Sequence, residues 1–307
     1  MKCWVVPICS LLLMFAPVVP YAQEVPTIRV PQARSADDTA YSYFTGLMEK
    51  ALRKAAKGRV VPQVLATIPM STERRVHELR LNRTIDIFWL GGSKARARDL
   101  LVVPIPLERG LVGYRQFIIR KDSAADFDAV KTLADLSHLT ACQDAHWVDV
   151  GIFRDAKLPL VTSINYESLF KQVVAGRCDY FPRGFHEAQV EMAKRAASYP
   201  ALMVYKPLIL HYPFAAYFFV HKDNKALAQW LQEGLEKMID DGELLAYMKQ
   251  HEHTRDAFPL EGFSSKRLLV IPNNYLPDFS NENDVRYWFQ ANDFGIVAGS
   301  NLTGTDK

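Results

Sequence analysis

Several polar segments of this chain carry side chains that could hold or transform a small molecule. Gly91–Arg98 combines two glycines with Ser93, Lys94, Arg96 and Arg98. Exposed backbone amides, a hydroxyl and guanidinium groups suit a carboxylate, because Arg grips that group with a planar fork. A solvated basic turn has the same make-up, and spacing leaves both readings open. The Gly-x-x-x-x-Gly-Lys spacing of a phosphate loop is absent. A second segment, Gln143–Trp147, offers Asp144, His146 and Trp147. The third is Gly176–Glu191, GRCDYFPRGFHEAQVE, with Arg183 and Glu187 between a short strand and a helix. A cation at that junction is where open α/β sheets place ligands, although an Arg183–Glu187 surface pair would read the same way. Tyr41, Trp89, Trp147 and Tyr180 lie near these loops as pocket walls or as core. Trp147, in a polar loop, is the ring expected to face a ligand.

The elements that must position these groups alternate. Thr27–Val30 reads as a strand. Phe44, Leu47, Met48, Ala51, Leu52 and Ala55 recur at helical spacing before Gly58. Val60–Ile68 is a second strand, Ser71 or Thr72 caps a helix through Leu81, and Ile85–Leu90 is a third strand. The pattern restarts with strands at Leu139–Gln143, Leu160–Ile164 and Cys178–Phe181, separated by helices at 148–156 and 166–175. Pro182-Arg183-Gly184 is expected to break the last strand and open a loop. Two β-α-β-α-β units imply two lobes, each with a parallel sheet and covering helices. Tyr114–Arg120 and Phe214–His221 are natural crossover strands. Pro31–Thr39, Gly91–Arg98, Gln143–Trp147 and Pro182–Gly184 all fall at strand ends, so they should converge on one cleft.

Hydrophobic residues make up 49% and charged residues 23% of 307 residues, enough apolar material for more than one core. The formal net charge is +3 with basic and acidic residues intermixed, which argues against a nucleic-acid partner. Lys2, the apolar run Cys3–Pro20 and Ala22 read as a secretory signal peptide cleaved near Ala22. Cys9 lacks the pattern of a lipidated cysteine. Cys142 and Cys178 then remain in an oxidising compartment, where they either bridge or stay apart because of their offset in their strands.

The order of elements and several motifs carry a resemblance. TLADL, Trp147–Asp149 (WVD), YESLF, GRCDYFPRG with Glu187 and Glu191, PFAAYFFV and KRLLVIPNNYLP stand in this chain. With the signal and the paired crossovers, it resembles a periplasmic solute-binding protein of the amino-acid ABC transporter type, family 3, from a branch with no defined ligand. The resemblance implies an α/β, two-lobed type 2 periplasmic-binding-protein fold with two doubly wound sheets joined by two crossover strands. It implies a signal peptide at 1–22, lobe 1 from 23–114 plus 216–307 including a C-terminal extension, and lobe 2 from 115–215. It also implies that Arg96 or Arg98 holds a ligand carboxylate. The Asp that such proteins use for an ammonium, just past the strand at Cys178–Phe181, is replaced here by Arg183 and Gly184. That departure implies a more anionic ligand, unless Asp144, Asp149 or Glu187 neutralises the cation.

The function expected is capture of a small polar, carboxylate-bearing solute in the periplasm, for an ABC permease or a membrane sensor, by a monomer. The expected ligand contacts are Tyr41, Ser93, Arg96, Arg98, Asp144, Trp147, Arg183 and Glu187. No nucleophile–base spacing, metal cluster or cofactor fingerprint is present, so no catalysis, metal or cofactor is expected. A cleft enzyme of dehydratase type, using Asp144, His146 or Glu187, is one alternative. A degenerate lobe pair that binds a protein partner is the other.

Overall fold

The computed structural model describes residues 1, 25–33, 38–263 and 266–295. The signal segment beyond Met1, residues 34–37 of the Pro31–Thr39 loop and the residues after 295 lie outside them. The strands are β1 Thr27–Val30, β2 Gln63–Ala66, β3 Ile87–Gly91, β4 Leu101–Val102, β5 Tyr114–Arg120, β6 Ala141–Asp144, β7 Leu160–Ser163, β8 Tyr180–Gly184, β9 Leu202–His211, β10 Ala216–Val220 and β11 Arg267–Val270. The helices are α1 Thr39–Lys54, α2 Thr72–Arg80, α3 Lys94–Asp99, α4 Ala124–Ala129, α5 Leu133–Leu136, α6 Asp149–Asp155, α7 Tyr166–Val174, α8 Phe185–Arg195, α9 Lys225–Asp240 and α10 Glu243–Gln250.

β11, β9, β5, β8, β6 and β7 form one sheet in that order. Its parallel half, β8–β6–β7, is the second predicted β-α-β-α-β unit. The first unit is built in two pieces, β1–β2 and β3–β10–β4. Between β1 and β3 the Asp86 side chain takes over from the backbone ladder. It accepts from Arg29 N at 2.7 Å, while Asp86 N donates to Arg29 O at 2.9 Å. The two predicted crossover strands, as β5 and β10, occupy central positions in the two larger sheets.

α1 buries Tyr43, Phe44, Leu47, Met48, Ala51 and Leu52, one stripe at helical spacing, and Asp38 caps its start by accepting from Tyr41 N. That stripe packs on α9, whose Leu231, Leu235 and Met238 are buried. The helices approach so closely that a Cβ on Gly234 would lie 2.0 Å from Ala51 O.

Two expectations are corrected here. Pro182-Arg183-Gly184 does not end the strand. These residues continue β8, pairing antiparallel with Phe117, Gln116 and Arg115 of β5. β6 pairs with β8 only at Tyr180, so the missing N–H of Pro182 breaks no ladder on that side. The C-terminal extension does not stay with the first lobe. β11 adds a parallel strand to β9 at the edge of the six-stranded sheet, and Leu269 and Ile271 join the core beneath it. The chain then returns, placing Trp288, Phe289 and Phe294 in the cores of the first unit. The apolar run Arg267–Val270 gives the reason: β9 would otherwise leave an unpaired edge.

Cys142 in β6 and Cys178 in the turn before β8 form a disulfide, with Cα atoms 5.7 Å apart. The turn brings Cys178 back beside β6, so the offset between the strands does not keep the two apart. Among the described residues no helix is long and apolar enough to cross a membrane.

Candidate functional site

A cavity of about 330 Å³ lies between the two units. Its lining comes from the ends of β3, β6 and β8 and from the first turns of α1, α2, α6 and α7. Aromatic walls are supplied by Tyr41, Phe44, Trp89, Trp147, Tyr166 and Phe214. Phe44 stacks on Trp89 with centroids 5.1 Å apart, and Tyr41 meets Trp89 edge-on at 6.0 Å. Gly91 admits this packing, because a Cβ there would lie 2.2 Å from Phe214.

Charged groups face each other across these rings. Arg96 projects from the first turns of α3, whose N-terminus Ser93 caps by accepting from Arg96 N at 3.2 Å. Its Nη1 donates to Gly91 O at 2.7 Å and its Nη2 to His146 O at 2.9 Å. One guanidinium thus ties a loop of the first unit to a loop of the second. Among the described residues no carboxylate lies within ion-pair distance of it. Burial lowers its pKa to about 10, with Asp149 and Asp144 opposing the shift, so it stays charged at neutral pH.

Arg115 and Arg183 differ in that carboxylates hold them. Arg115, on β5, sits 2.8 Å from Asp149 Oδ1, and Tyr212 donates its hydroxyl to the same oxygen. Arg183 is buried on β8. Its Nε and Nη2 both reach Glu191 at 2.9 Å, and Nη2 is 2.7 Å from Glu187 Oε1. The guanidinium lies 5.0 Å from the Trp147 ring and 5.5 Å from that of Tyr166, which donates to Glu191. Glu187 Oε2 accepts from Gly184 N at 2.8 Å, closing the start of α8. Burial alone would push the Glu187 carboxyl up, but Arg183 and further cations outweigh it and hold it below the usual carboxylate range.

Of the residues singled out in the sequence, Tyr41, Arg96, Asp144, Trp147, Arg183 and Glu187 line the cavity. Trp147 is only half-buried, and Asp144 accepts from His146 N at 2.9 Å. Ser93 is a buried helix cap outside the cavity lining. Arg98 is exposed and turned to Asp99 at 3.5 Å. Geometry therefore separates the two arginines that spacing left equivalent: α3 turns Arg96 inward and Arg98 to solvent. Tyr180 is core, packed on Phe117 and Phe127. His146 sits 3.5 Å from Glu73 of α2, a second contact between the units. Sequence reading missed Arg75, Glu108, Arg115 and Tyr166 in the lining. Arg115 was legible in principle, as a cation at the start of a strand whose middle, Phe117–Ile119, is apolar.

No family model matches this chain, and no curated protein does. Solved structures do. An ancestral arginine-binding protein bound to arginine superposes with a TM-score of 0.54 at 16% identity, covering 73% of this chain and 97% of its own. A histidine kinase sensor domain with similarity to periplasmic binding proteins gives 0.54 at 16%, covering 74% and 96%. The ancestral amino-acid-binding protein AncCDT-1, a precursor of cyclohexadienyl dehydratase, gives 0.52 at 18%, covering 73% and 95%. At these identities the likeness concerns the fold, and the fold is the two-lobed α/β architecture of periplasmic binding proteins.

Proposed function

We propose that this protein captures a small, carboxylate-bearing, amino-acid-like solute between its lobes in the periplasm, and delivers it to an ABC permease or reports it to a membrane sensor. The observation that carries the reading is Arg96, a charged guanidinium in an aromatic-walled cavity whose hydrogen bonds, among the described residues, go to backbone carbonyls alone. A solute carboxylate would replace those carbonyls with a stronger, two-pronged partner. The cavity volume suits a small solute. Arg183 no longer argues for a dianion, since Glu187 and Glu191 outnumber its single charge. Excess negative charge there suits a cationic amino group on the same solute. The protein acts as a monomer with no nucleic-acid partner.

A dehydratase-like enzyme is the second reading, favoured by the likeness to AncCDT-1. Glu187 opposes it: ionised and fastened to Arg183 and Gly184 N, it makes a poor proton donor at neutral pH.

Thermal unfolding against a panel of amino acids, dicarboxylates, short peptides and amines tests both readings. A ligand at 100 times its Kd adds about 2.7 kcal/mol and raises the midpoint. The shift should vanish in Arg96→Ala and persist in Arg98→Ala. A folded protein that answers to no member of the panel would instead support a partner-binding role. Turnover of the shifting compound, lost in Glu187→Gln, would establish the enzyme.

A further inference from the structure

Behind the cavity, three side chains from three distant segments meet in a dry place. Glu108 follows β4, His186 is on the first turn of α8, and His253 lies just after α10. All three are less than 5% exposed. Glu108 Oε1 is 2.9 Å from His186 Nε2 and 3.2 Å from His253 Nε2. Possible ligand atoms of all three lie within 4.8 Å of one another.

The distances are those of hydrogen bonds, but the angles within the grouping are not. Glu108 Oε1 and both ring nitrogens of His186 are fully buried, yet among the described residues none has a hydrogen-bond partner of acceptable geometry. The three possible ligand atoms cluster closely without meeting N–H···O geometry. Thr39 Oγ1 lies 3.1 Å from His253 Nδ1, and a proton on that nitrogen leaves the Nε2 lone pair facing Glu108.

We propose that Glu108, His186 and His253 bind one divalent first-row transition ion of the zinc class. Two imidazoles and a carboxylate are a ligand set such ions take. Ligand atoms about 2.0 Å from a tetrahedral ion stand about 3.3 Å apart, close to the 2.9 and 3.2 Å that separate Glu108 Oε1 from the two Nε2 atoms. Glu108 also lines the solute cavity, and His253 lines an adjoining recess with Thr39. A fourth coordination position can thus open toward that space, for water or for a donor atom of the solute. The ion would also join α8, which flanks the six-stranded sheet, to segments packed with the first unit. This assignment does not depend on which solute the cleft takes.

The test uses the full mature chain without a histidine tag, stripped with EDTA and titrated with Zn²⁺ by calorimetry. Thermal unfolding and circular dichroism run alongside. One zinc per chain and a raised unfolding midpoint are expected. Affinity should fall at least about tenfold in His186→Gln, His253→Gln and Glu108→Gln, and stay unchanged in His221→Gln. Cobalt(II) on the unsubstituted protein supplies a readout that needs no variant. Intense visible bands of a low-coordinate ion support the site, whereas the weak spectrum of a fully hydrated, octahedral ion overturns it. Absence of zinc binding by the folded chain, or equal binding by folded His186→Gln and His253→Gln, also overturns it.

Discussion

At the scale of single residues, burial and partners decide which chemistry survives. Arg183 looked like a ligand cation in the sequence, but on β8 it meets two carboxylates. Arg96 meets carbonyls and keeps its charge available. The kinds of group at the site were legible because polar loops at strand ends are local features. Their pairing was not, because Arg183 with Glu191, or Glu108 with His186 and His253, depends on where separate segments land. His211 illustrates a further effect of burial. It stacks on Tyr114 at 4.0 Å, and burial lowers its pKa from 6.5 to about 4. Above pH 6.5 both native and unfolded chains hold it neutral. As pH falls toward 4, the unfolded chain takes up a proton that the native one refuses, so stability drops by on the order of 2 to 3 kcal/mol. Urea midpoints measured from pH 7 to pH 4 should show less acid destabilisation in His211→Phe than in the unsubstituted protein. Identical slopes would rule the effect out.

At the scale of elements, periodicity served well where one stripe meets one core. The apolar stripe of α1 was readable residue by residue, and it does pack on one core, against α9. Strand ends were less legible. The strand placed at Val60–Ile68 shrinks to Gln63–Ala66. Its extension depends on a neighbouring strand that the local sequence does not name. β8 shows the opposite case, since pairing with β5 carries it through a Pro and a Gly that locally signal a turn. The α1–α9 contact makes a sharp prediction. Gly234→Ala puts a methyl group 2.0 Å from Ala51 O and should cost about 1–3 kcal/mol by chemical denaturation. Gly262→Ala, with no atom within 4 Å of its added Cβ, should cost far less.

At the scale of the molecule, the two-lobed plan follows from the repeated strand–helix alternation, and the structure has it. The course of the C-terminal segment did not follow, because its polar, Pro- and Asn-rich stretches hide a few anchoring apolar residues. Those anchors are distributed between both halves. Leu269 and Ile271 enter the second unit's core, and Trp288, Phe289 and Phe294 the first unit's. Tyr275 also donates to Asp155 at 3.3 Å, and Lys94 N to Tyr275 O at 3.0 Å. Burying a side chain of that size contributes about 1.5–3 kcal/mol, and five of them together rival the whole stability of a typical domain. A chain ending at Gln250 should therefore lack a cooperative thermal transition. A truncated protein that unfolds cooperatively and binds the same solute would falsify that role for the segment.

The same segment sets a clock on assembly. A nascent chain emerges from its N-terminus, and sequential units normally fold as they appear. Here β9 waits for β11, and the first unit waits longer still for Phe294. Both halves stay open along one side until Phe294 has been made, so neither can finish folding as it first emerges.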